Sequence, residues 1–381
     1  MFAPVLQRYG MDLALDPDRL RNLVEHHCRK HHLPLPDEAA WLPVQEQWLL
    51  GWPQRGSSSF LDRYRQLRSG LIRALGGHNP EGWLDQLPAI TVLPEPRGEL
   101  EVGLQPGAQP NLAEALLRLG RGGRLLLDGQ PQQIPPELPE AELHLLGTDT
   151  APGQLDFGPQ GRWRQGWLRL ENFELRGKLV VEGGLVELRQ CRWQPGSRLV
   201  LSGVGAYVQA ENCDFLGPVQ AGPCTLLEAY HCNFESAAVG LEVAGLARLR
   251  GVACSDHPEA ALRVFQRGRV GLEDCQLRAS GLGLEALGQC LVWMKDCWVR
   301  DNLGPGIQAL DAARLELLAC QLRHNGADGL ALEDQARLRL EGCQIAENQG
   351  AGVRLDCGVV MEQSNNRLHS NQDGDWLEMQ A

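Results

Sequence analysis

Lysine is almost missing from this chain. Of its 36 basic residues only Lys30, Lys178 and Lys295 are lysines, so positive charge is carried by arginine. Against 48 acidic residues this leaves a formal net charge of −12, which argues against nucleic acid or an anionic membrane surface as partner. No apolar run reaches the roughly 18 residues that a membrane-spanning helix requires. The opening stretch, MFAPVLQRYGMDLALDPDRL, has no basic segment followed by an apolar one, so no secretory signal is expected and the expected compartment is the cytoplasm. In such a chain the twelve cysteines read as thiols and not as a disulfide framework. A length of 381 residues allows two or three ordinary domains, or one elongated repeat body with an appendage.

What the chain does have is a period. Cysteines step backwards from Cys343 through Cys320, Cys297, Cys275, Cys254, Cys232, Cys213 and Cys191 at intervals of 19 to 23 residues, and Asn366 takes the next place forwards. Before each lies an alternating segment (LRLEGC, LELLAC, VWMKDC, VGLEDC), with apolar residues five and three positions earlier, as in Leu315 and Leu317 before Cys320. Two positions later comes Ile345, Leu322, Val299, Leu277, Phe234, Phe215 or Trp193, and about ten later a short strand carrying Ile307, Leu330, Val353 or Trp376. Period-2 alternation repeated every 19 to 23 residues predicts one coil of strands per repeat. The intervals hold only Gly, Asn, Asp and Pro punctuation, which excludes leucine-rich and helical repeats.

A parallel β-helix remains, with coils stacked about 4.8 Å apart and equivalent side chains in ladders. Cysteine suits an interior stack. Asn302, Asn325, Asn348 and Asn371 recur every 23 residues, where a turn amide would take a left-handed backbone and bond to the coils above and below. Glycines at 306, 329 and 352 would relieve crowding where the chain re-enters a strand.

Upstream, a strand at LEVGL, a helix from about Asn111 to Leu119 with Leu112, Ala115, Leu116 and Leu119 on its apolar face, then GGRLLLDG and a strand ending at Gly147, complete the pattern. Residues 98 to 381 thereby resemble the right-handed parallel β-helix family that includes pectate-lyase-like and carbohydrate-binding or sugar-hydrolase repeat proteins. That resemblance implies a mainly β solenoid of about ten coils, its open end covered by the segment at about 98–147. Residues 1–95 differ in kind. DPDRLRNLVEHHCRKHH and SSFLDRYRQLRSGLIRAL predict a small α-helical domain, joined through the proline-rich stretch Leu87–Glu99 to the solenoid at 96–381.

Chemistry on this fold has few carriers here. His27 with His31, or Cys28 with His32, stand one helical turn apart, the spacing of a zinc pair, but further ligands are wanting and a polar helix end is the plainer reading. The polygalacturonase-like members carry paired aspartates and Gly-His-Gly; this sequence has neither. Were the chain an enzyme, Glu273, Lys295, Asp296 and Glu316 on consecutive coils would be its acids and base. Arg300, Asp301, Arg323 and His324 form a second mixed cluster at a turn, a candidate binding surface. Mixed charge on outward strands is ordinarily a solvated face. The expected function is therefore a non-catalytic scaffold that binds a protein partner or a glycan through its repeat surface, without cofactor. The alternatives are a polysaccharide lyase or hydrolase of the pectate-lyase-like class, and an effector or adhesin exported without a cleaved signal.

Overall fold

The computed structural model describes residues 99–378, apart from 104–107, 120–121, 137, 139–141, 149–151, 165, 204–205 and 224. All of them belong to the unit Glu95–Ala381. The helical domain expected over 1–95, with His27, Cys28, His31 and His32, lies outside the described residues.

Each repeat lays down three short strands in turn, and each strand pairs in parallel with its counterpart in the next coil. The result is three sheets of thirteen, twelve and eleven strands, here sheets A, B and C, in a right-handed solenoid of about twelve coils. Right-handedness is what a twisted strand feeding a parallel neighbour imposes. Alternation decides the faces. In Arg337–Glu341, Leu338 and Leu340 are buried while Arg337 and Arg339 are exposed. Inward residues then stack without offset, as in Val270, Val292, Leu315 and Leu338.

In the later coils two corners are made by single residues in the left-handed region. Between sheets A and B these are Asp274, Asp296, Ala319 and Gly342, each immediately before a cysteine. Between sheets B and C they are Asp301, His324, Glu347 and Ser370, each immediately before an asparagine of the ladder. The sequence expectation that the asparagines themselves take the left-handed backbone is therefore corrected by one position. Their side chains do the other half of the expected work: Asn325 Oδ1 accepts from Asn302 N (3.3 Å) and Asn302 Nδ2 (3.0 Å), while Asn325 Nδ2 donates to Asn348 Oδ1 (2.9 Å) and Val299 O (3.3 Å). A short amide suits this role because it both donates and accepts along the axis.

The cysteine ladder also needs one correction. Cys254 is not a rung; it lies within a sheet B strand, in register with Phe234 and Leu277, and Val252 holds the rung position. Upstream of Cys191 the same column continues as Phe173 and Gly153. A Cβ on Gly153 would lie 2.3 Å from the Phe173 ring, so the large residue occupies the room its neighbour vacates. The cysteine-based expectation of about ten coils fell short because the first coils carry no cysteine. Gly329 meets its expectation: a Cβ there would stand 2.6 Å from Ile345 and 2.7 Å from Gly352 O.

Apart from the asparagine ladder and a few buried polar groups such as His257 and Ser280, the lumen is apolar among the described residues. Phe157, Trp193, Phe215 and Phe234 stack with centroids 5.9, 6.3 and 4.7 Å apart. At the N-terminal end, helix α1 (Leu112–Leu119) buries Leu112, Ala115 and Leu116. Asn111 caps it, its Oδ1 accepting from Glu114 N at 3.0 Å, and the Gln132 side chain takes the Leu112 N–H. Among the described residues no helix is long and apolar enough to cross a membrane.

Most of the shifted thiols are pushed up and so held neutral, whereas at Cys213 the opposing effect of burial is outweighed by hydrogen bonds from Cys191 and Cys232, which pull it down. Burial pushes Cys254 and Cys290 up to about 12, and hydrogen bonding from Cys297 together with burial does the same to Cys320. Alkylation of the native protein is expected to mark the exposed Cys357 quickly and the buried rungs only on unfolding, as peptide mapping would read out. Fast native labelling of Cys320 or Cys343 would contradict an interior stack.

Candidate functional site

The first candidate set is dispersed by the coil geometry. Glu273 and Lys295 are register neighbours on the outer face of sheet A, but Glu273 engages Arg250 at 3.4 Å. The residue beside Lys295 in the following strand is Leu318, not Glu316, which faces Trp293 and Arg339. Asp296 is a left-handed corner residue with φ of 54°, a role that explains its type without chemistry. No acid, base and cation converge there. The polygalacturonase-like members also carry an Arg-x-Lys; the expectation that this chain lacks it is corrected by Arg176-Gly177-Lys178. It spans the end of one strand and the start of another, and the aspartate pair and Gly-His-Gly that would give it a role are missing.

The second set is brought together, and it grows. Arg300 and Arg323 are register neighbours on sheet B, and Arg278 precedes them in the same outward column. Sequence reasoning missed Arg278, although all three stand three residues after a rung. At about 4.8 Å two unit charges in water repel by about 1 kcal/mol, so three guanidinium groups in file are not a neutral choice. Asp301 lies 3.8 Å from Arg300, and His324 faces Glu347 at 2.9 Å instead of the arginines. Trp298, 39% exposed, stands in the neighbouring column between Gln276 and Gln321, with the Arg300 guanidinium 5.6 Å from its ring centroid.

The surroundings make this column unusual for so acidic a chain. On sheet B the strands Ala253–Ser255, Gln276–Arg278, Trp298–Arg300, Gln321–Arg323, Gln344–Ala346 and Arg367–His369 contain no Asp or Glu. Earlier strands of the same sheet carry Asp156, Glu174, Asp214 and Glu235. One face of the later coils is thus cationic along its strands.

Sheet A holds a further set that the sequence reading did not single out. Tyr207 Oη donates to Glu228 Oε2 at 2.5 Å, and Arg248 approaches the same carboxylate at 3.9 Å. Glu228 and Arg248 are register neighbours, four residues before their rungs, a count that would have found them. Nearer the N-terminal end of the sheet, His144 packs edge-on against Trp167, centroids 5.0 Å apart, with its Nε2 3.3 Å from Glu142 Oε1. Burial, then Arg169 and Arg124, push its pKa from 6.5 down to about 4, against an opposing pull from Glu171. The folded chain so keeps His144 neutral, while the unfolded chain protonates it below about pH 6.5. Its contribution to stability is whole above about pH 6.5 and is lost as pH falls towards 4. His144→Gln should flatten that acid limb; urea unfolding at pH 7 and 4.5 with the same difference in both proteins would assign the limb elsewhere.

Among the described residues no group of three or more His, Cys, Asp or Glu side chains is arranged to hold a metal ion.

Residues 237–381 match a family model described as right handed beta helix region. The A-module of mannuronan C-5 epimerase AlgE4 from Azotobacter vinelandii superposes with a TM-score of 0.53 at 10% identity, covering 70% of this chain and 91% of that one. The A-module of mannuronan C-5 epimerase AlgE6 from the same organism gives 0.33 at 12% identity over 70% and 93%. Pectate lyase Pel9A gives 0.32 at 11% over 68% and 73%. No curated protein sequence matches the chain. At 10% identity the likeness to the AlgE4 module is one of fold.

Proposed function

We propose that the solenoid is a non-catalytic scaffold that binds an extended acidic polysaccharide along the later coils of sheet B. The observation that carries this reading is the column Arg278, Arg300 and Arg323 beside Trp298, on strands without a carboxylate. Guanidinium forks match carboxylates in planar, bidentate geometry, and an indole face stacks on the apolar face of a sugar ring. A stiff parallel solenoid repeats its contacts along one axis, which suits a polymer better than a compact ligand. The fold is shared with a mannuronan epimerase module, and this favours a glycan over a protein as the partner.

The test is binding without turnover. Purified protein titrated with acidic and neutral polysaccharides should bind the acidic ones, weakening as salt rises, and release no unsaturated or reducing-end product. Trp298→Ala with Arg323→Gln should abolish binding while the melting temperature holds. Retention of affinity in that double variant would place the ligand elsewhere.

The catalytic alternative has one observation in its favour, the Tyr207–Glu228 contact beside Arg248, and one against it, the burial of Tyr207 and Glu228 to 2% and 1% exposure. A carboxylate, a phenol and a cation are the parts needed to take the proton next to a uronate carboxylate and protonate the leaving oxygen. Product formation that vanishes in Tyr207→Phe would install a lyase in place of the scaffold.

A further inference from the structure

We infer that sheet B engages acidic groups about 10 Å apart on one side of the polymer, those of every second sugar, through Arg278 and Arg323, with Arg300 held out of the contact. This rests on the polysaccharide reading and adds the repeat that the surface accepts.

The three arginines are not equivalent. Arg300 is already committed: its guanidinium leans over the Trp298 ring at 5.6 Å, and its Nε faces the Asp301 carboxylate at 3.8 Å. The corner residue beside Arg278 is Ala279, and the one beside Arg323 is His324, whose imidazole is turned to Glu347. Neither Arg278 nor Arg323 has an ion-pair partner among the described residues. Charge available to a ligand therefore sits two coils apart, about 9.6 Å at the coil rise. Beyond Arg323 the next station is Ala346, so the file ends there.

An extended pyranose chain advances about 5 Å per sugar, close to one coil, and in a ribbon-like chain successive substituents point to opposite sides. Three consecutive sugars then lie over the coils of Arg278, Trp298 and Arg323. The outer two turn their carboxylates to the arginines. The middle sugar turns its own away and rests its apolar face on Trp298, where Arg300 leans over the ring and faces Asp301. Charge, aromatic platform and the occupied arginine agree on one register.

Calorimetric titration of the full chain with length-matched oligosaccharides separates the possibilities. The probes are an acidic homopolymer (oligomannuronate), an alternating acidic–neutral oligosaccharide (hyaluronan octamer), a neutral cello-oligosaccharide and a polyglutamate peptide. Expected are binding of the alternating probe within about threefold of the homopolymer, no binding of the neutral one, and losses of about tenfold or more for Arg278→Gln and for Arg323→Gln against less than about threefold for Arg300→Gln, with unchanged melting. Equal losses at all three arginines, or failure of the alternating probe alone, would overturn the two-coil spacing and leave the binding reading standing. Failure of both acidic glycans would overturn both. Tighter binding of polyglutamate than of either glycan would make the partner an acidic protein segment and overturn the inference.

Discussion

Leu317→Asp is expected to unfold the middle of the solenoid under conditions that leave Glu316→Ala untouched. Leu317 is 1% exposed, stacked between Met294 and Leu340, so the substitution forfeits about 2–3 kcal/mol of apolar burial and adds an unpaired carboxylate to a dry lumen. The sum is several kcal/mol. Because coils contact mainly their neighbours, the damage should spread along the axis as lost protection in adjacent strands. Glu316 points outward beside Arg339, whose guanidinium is paired with Glu341 at 3.3 Å, so removing this exposed side chain should cost less than about 0.5 kcal/mol. Urea titration with hydrogen exchange reads both effects. Similar losses in the two variants would mean that the strand faces are reversed.

Asn325→Ala should be nearly as severe, for a polar reason. The Asn325 side chain is wholly buried and joins four hydrogen bonds. Removing it orphans the Asn302 N–H and one donor of the Asn302 amide, and takes one of two partners from the Val299 carbonyl, which keeps its ladder bond. At about 1–3 kcal/mol for each buried group left without a partner, a loss of about 3–5 kcal/mol is expected. Asn366→Ala, at the half-buried last rung, should lose less, since water can reach what is exposed there. A loss below about 1 kcal/mol for Asn325→Ala would show that the ladder relaxes or hydrates without penalty.

Much of the fold was legible because a solenoid writes its geometry into a period. Strand faces, the rung positions from Cys275 to Cys343, the asparagine ladder and the cap helix could all be read by counting. The failures share a cause. Cys254 matches the rungs in residue type but not in register, and Val252, equally apolar and similar in size, fills the place. The left-handed backbone was given to Asn325 when His324 carries it, since sequence marks a turn better than the residue at its apex. The cationic face was half visible: Arg300 and Arg323 were found with their corner neighbours, but Arg278 and Trp298 join them only once adjacent coils are aligned. The lyase candidates failed for the complementary reason, because Lys295 and Glu316 are close in spacing but two residues out of register.

Asn325 stands directly before Gly326. In that context an asparagine most readily sheds ammonia, because a glycine's N–H meets little obstruction in attacking the side-chain amide carbon. In the solenoid that N–H is donated to Asn302 O at 2.7 Å, and the amide is pinned at both ends by the ladder. The reaction is therefore confined to chains that have come apart. Each such chain that ages acquires an aspartate or an isoaspartate at the centre of a stack that accepts neither a buried charge nor a rerouted backbone. The fraction able to refold should shrink with the hours spent unfolded, so that the protein carries a chemical record of its own exposure to heat.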